Sequence, residues 1–69
     1  MNLPIENLEA IEAEFLLNKQ DNNVISELLN RLSSYENLPE YAPHGSLMSS
    51  LKICLSKQQL ENNNFVTDR

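Results

Sequence analysis

The residues with reactive or titratable side chains are few, and their spacing decides what chemistry is open to them. Cys54 and His44 are the only cysteine and histidine. A thiol nucleophile needs a neighbouring base and an electropositive setting to become a thiolate. Cys54 instead falls between Leu51 and Leu55 on an apolar helical face, which predicts a small buried core residue. His44 stands beside Gly45 in a proline-containing segment and reads as an ordinary loop histidine, with a pH-sensitive contact as its one functional alternative.

Glu6, Glu9, Glu12 and Glu14 are the other cluster. Carboxylates perform acid–base work when burial or crowding drives their pKa values apart. At 100° per residue these four spread around a helix, and solvated positions are expected for most of them. One cysteine and one histidine cannot assemble a Cys/His zinc site or an intrachain disulfide. A single glycine leaves no phosphate-cradling loop. The expectation is a protein with no catalytic residues, cofactor or metal.

The elements that carry these residues are helical. Pro4 suits a first helical turn, where its missing N–H has no partner to lose. From there Ile5, Leu8, Ile11, Phe15 and Leu16 gather on one side, predicting a helix over about 4–18. Glu12 falls inside that arc and Glu9 at its edge, where the stripe meets water or a partner. Asp21, Asn22 and Asn23 break the chain and offer N-cap oxygens to a second helix over about 23–34. Val24, Ile25, Leu28, Leu29, Leu32 and Tyr35 form its apolar face.

Residues 35–45 hold Pro39 and Pro43, which bias Leu38 and Ala42 away from helix and predict an extended loop. Ser46 is placed to cap a third helix over about 47–60. Leu47, Met48, Leu51, Cys54 and Leu55 share one of its faces, while Ile53 and Leu60 lie together on another. One core contact cannot use both faces, so the second is expected to meet a partner. The fold class expected is all-α, a small three-helix domain over residues 1–61, followed by a polar, frayed tail over 62–69.

Size and charge bound the function. A chain of 69 residues buries only about 60% of its unfolded surface, which makes association a natural source of stability. Leu, Ile, Val and Phe make up 20 of the 69 residues, above the fraction of about one fifth below which chains stay disordered. The net charge is −5. Residues 1–43 hold eight acids against Lys19 and Arg31, while residues 44–69 hold Lys52, Lys57 and Arg69 against Glu61 and Asp68. An acidic field repels phosphate backbones and anionic lipid and steers towards basic partners. Helix-turn-helix DNA binding, which needs many cations, is accordingly the weakest of the readings. The first residues lack a basic start and apolar run, no stretch approaches a membrane span, and a lone thiol suits a reducing compartment, so a cytoplasmic location is expected.

The function expected is a non-enzymatic, acidic protein-binding module, a small inhibitor or regulator that covers a basic or apolar site on a protein partner. The alternative is a subunit that completes a larger helical bundle or a homodimer. The residues expected to touch the partner are Glu9, Glu12 and Glu14 on the first helix, Leu38 and Tyr41 in the loop, and Ile53 and Leu60 on the third helix.

Overall fold

The computed structural model describes residues 3–67. It contains three α-helices, α1 (Pro4–Leu17), α2 (Asn22–Glu36) and α3 (Gly45–Thr67), with a 3-10 helix over Pro39–His44 between α2 and α3. No strand occurs among the described residues. The all-α, three-helix fold is the one that the apolar periodicity dictates.

α1 starts at Pro4, and the Glu6 carboxylate accepts the Leu3 N–H at 3.1 Å, satisfying one otherwise unpaired donor at the helix start. The chain reverses over Asn18–Asp21. There the Asn18 side chain donates to the Glu14 carbonyl at 2.8 Å, and the Asp21 N–H donates to the Asn18 carbonyl at 3.0 Å. Asp21 is the N-cap of α2, its Oδ1 accepting from the N–H groups of Asn23 and Val24 at 3.0 and 3.3 Å. Of the three polar residues in this break, it is the aspartate that caps.

The core consists of Leu8, Ile11 and Phe15 from α1, Ile25, Leu28 and Leu32 from α2, Tyr41, and Met48, Leu51 and Leu55 from α3. Each helix thus contributes residues at spacings of three, four and seven, and side chains of this kind stabilise by about 1.5–3 kcal/mol each when fully buried. α2 runs antiparallel to both neighbours. Its start meets the far part of α3 through Asn22 and Gln59, its end meets Lys52 through Glu36, and Arg31 meets Glu14 of α1. α1 and α3 are therefore parallel and lie side by side.

Three expectations need correction. The segment 35–45 is not extended throughout, because α2 continues to Glu36 and Pro39–His44 forms 3-10 turns. Only Leu38 keeps the extended backbone that a following proline favours, at φ −98° and ψ 129°. Ser46 does not cap α3, since the 3-10 helix runs straight into it through Gly45 in ordinary right-handed geometry. α3 also passes the expected end near residue 60 and continues to Thr67. Residues 68 and 69 of the expected tail lie outside the described residues.

The extension of α3 has a physical cause in a cluster of amides. Asn62 donates to the Lys19 carbonyl and to Asn22 Oδ1, both at 2.8 Å. Gln59 donates to Ser26 Oγ at 2.7 Å, and Asn22 donates to Asn63 Oδ1 at 2.9 Å. Polar residues 59–63 thus hold this part of α3 against the α1–α2 turn. Hydrogen bonds of this kind contribute about 1 kcal/mol each, enough to keep two further turns from fraying.

Candidate docking surface

The glutamates of α1 are exposed, and their settings differ. Glu14 is paired with Arg31 at 3.3 Å, both side chains being more than two-fifths exposed. An ion pair so placed contributes less than about 1 kcal/mol. Glu9 and Glu12 are in no ion pair among the described residues. They lie seven and four residues before Leu16, on the same stripe of α1. Leu16 was expected in the core, yet it is 56% exposed. Only Leu8, Ile11 and Phe15 are buried on this helix, so the buried stripe is narrower than the apolar arc in the sequence.

Tyr41 is not available to a partner, which corrects its assignment as a contact residue. It is 3% exposed, its ring stacks on Tyr35, and its hydroxyl accepts a hydrogen bond from the Asn7 side chain at 2.7 Å. The 3-10 geometry of its segment turns the ring inward. Leu38 remains exposed at the corner between α2 and the 3-10 helix, its carbonyl accepting the Tyr41 N–H at 3.0 Å.

Ile53 and Leu60 are 62% and 61% exposed, on the side of α3 opposite Met48, Leu51 and Leu55. With Lys52, Ser56 and Lys57 they line one open hollow of about 420 Å³. Lys57 also lines a second hollow, between α1 and α3, together with Leu16, Lys19 and Cys54. Lys57 stands between the two hollows and lines both. Cys54 is exposed, which overturns the expectation of a core thiol. Its angle places it between the buried stripe and the outer face, and the α3 core contact is too narrow to reach it.

His44 and Cys54 do not form a thiol–imidazole pair. They stand ten residues apart on nearly continuous helical chain, which separates them by about 15 Å along the axis. No group of three or more His, Cys, Asp or Glu side chains suited to a metal occurs among the described residues. No described helix is long and apolar enough to cross a membrane.

Charges of both signs surround these hollows. Among the described residues Arg31 and Lys52 are in ion pairs, Lys52 with Glu36 at 2.9 Å, and Lys19 and Lys57 are the lysines that are not. Both of these line the hollow between α1 and α3, together with Glu61. Sequence reasoning counted Lys19 and Lys57 in the charge balance and did not bring them together. The position of Lys57 beside Leu16 and Lys19 depends on α1 and α3 being parallel neighbours, which a single sequence does not reveal. No protein-family model matches this chain, and no curated protein or solved structure was found similar to it.

Proposed function

We propose that this chain is a non-enzymatic protein-binding module, a small regulator or inhibitor that acts by covering a surface of another protein. The observation that supports the reading is the pair Ile53 and Leu60, more than three-fifths exposed on a helix whose opposite side is the core. Large apolar side chains kept together in water are the mark of a surface awaiting a partner. Glu9 and Glu12, exposed on α1, supply charge that accelerates encounter with a basic partner. The action is occlusion, with the outer side of α3 as the covering surface.

The test is capture of partner protein from source-cell extract by tagged wild type and by Ile53→Lys, with washes at low and high salt. The reading predicts a protein retained by wild type and lost by the variant while helicity is unchanged. Equal retention by both would remove the α3 outer face from the function.

A further inference from the structure

The hollow on the outer side of α3 has the form of a helix-packing hole. Four of the residues that line it, Ile53, Ser56, Lys57 and Leu60, stand at positions i, i+3, i+4 and i+7 of one helix. Residues so spaced are the corners of the hole that receives one side chain, the knob, of a facing helix. Ser56 is the small corner, and the open hollow measures about 420 Å³. We propose that it receives an acidic amphipathic helix of a partner protein, with an apolar knob in the hole and carboxylates on Lys52 and Lys57. The inference rests on the reading of the outer side of α3 as a covering surface and names the chemistry of what it covers.

Charge selects this occupant. At 100° per residue Lys52 and Lys57 stand on opposite sides of the line from Ile53 to Leu60, and no acid lines the hollow. Lys57 is exposed and in no ion pair among the described residues. Lys52 is paired with Glu36 at 2.9 Å, but its side chain is 39% exposed and its ammonium group has three donors, so a second carboxylate can join the first. Glu61 follows Lys57 by one turn and lines the neighbouring hollow with Lys57 and Lys19. Taken together, the two hollows still hold three lysines against that one glutamate. In a chain of net charge −5, this local excess of cations calls for acids on the facing helix. The basic surface that Glu9 and Glu12 attract is a separate part of the partner, because neither glutamate lines a hollow on α3.

A second copy of the chain fits less well. An antiparallel two-fold pairing of α3 centred on the hollow brings Lys57 of both copies together on one side of the seam. A parallel pairing brings Lys57 of each copy beside Lys52 of its mate. An anionic membrane fits less well again. Two apolar side chains are a small anchor, and the net charge of −5 is repelled by the lipid headgroups.

Titration of the isotope-labelled full chain with two synthetic peptides, followed by amide NMR shifts, tests the proposal. Each peptide is about three heptads long with leucine at a and d, and one carries glutamate at e and g where the other carries lysine. The glutamate peptide is expected to shift the signals of Ile53, Ser56, Lys57 and Leu60, and the lysine peptide to leave these four in place. Lys57→Glu is expected to weaken binding of the glutamate peptide about fivefold at physiological ionic strength. Ile53→Ser is expected to weaken it about tenfold, with the circular dichroism of the free protein unchanged. Equal shifts of the four signals by both peptides, or none by either, overturn the acidic helix. A protein still captured through Ile53 would then leave the covering surface in place with an occupant of other chemistry. Two further results also overturn the proposal: the same signals moved by phosphatidylserine vesicles and by neither peptide, or a mass of twice 7.9 kDa in sedimentation that falls to 7.9 kDa in Ile53→Ser.

Discussion

Tyr35 and Tyr41 stack with ring centroids 4.5 Å apart and planes 7° from parallel. The pair closes one end of the core, and the Asn7 side chain locks it from α1 through the Tyr41 hydroxyl at 2.7 Å. It joins α1, α2 and the 3-10 helix in one contact. Tyr41→Phe retains the stack and loses the hydrogen bond, so a loss of about 1 kcal/mol is expected. Tyr41→Ala loses the ring as well and is expected to cost about 3–5 kcal/mol. Urea unfolding followed by circular dichroism distinguishes the two, and equal effects would assign the whole contribution to the hydroxyl.

The start of α2 depends on one side chain. Asp21→Ala removes the acceptor of two backbone N–H groups and should destabilise the domain by about 1 kcal/mol. Asn22→Ala at the next position should act differently, through α3, because Asn22 bonds Gln59, Asn62 and Asn63 rather than the backbone of its own helix start. Hydrogen exchange read residue by residue should show faster exchange over residues 59–64 in Asn22→Ala. In Asp21→Ala the faster exchange should fall on the first turn of α2.

Gly45 is the lone glycine, and its conformation does not require one. Its φ and ψ of −58° and −40° are ordinary helical values, and a methyl group there would meet nothing within 4 Å. Gly45→Ala should therefore stabilise the protein by about 0.5–1 kcal/mol, through a less flexible unfolded chain and better helix propensity. A lower thermal midpoint would contradict the continuous passage from the 3-10 helix into α3.

Cys54 offers a check on the placement of α3. An exposed thiol should react with a water-soluble disulfide reagent without denaturant, at a rate within about tenfold of the unfolded chain. A thiol that reacts only on unfolding would mean that α3 is rotated towards the core.

How much of this was legible in the sequence differs from element to element. α2 was plain, because Ile25, Leu28 and Leu32 form a narrow stripe with serines, asparagine and glutamate opposite. The separate exposed face of Ile53 and Leu60 was legible for a related reason, since helical angle alone sets them away from Leu51 and Leu55. Leu16 and Cys54 were misplaced because periodicity gives the direction of a side chain and not how far the neighbouring helix extends to cover it. The length of α3 was hidden because it depends on amide hydrogen bonds between residues about 40 positions apart, which leave no apolar pattern. The inward turn of Tyr41 depended on 3-10 geometry, where two prolines had argued for extended chain.

The central claim is that the outer face of α3 meets protein. A photoreactive amino acid placed at Ile53, and separately at Glu27 on the exposed side of α2, can be activated in the living source cell. A covalent protein adduct at position 53, to a second copy or to a foreign chain, with little or none at position 27, is the predicted result. Adducts of equal yield at both positions, or none at position 53, would contradict it.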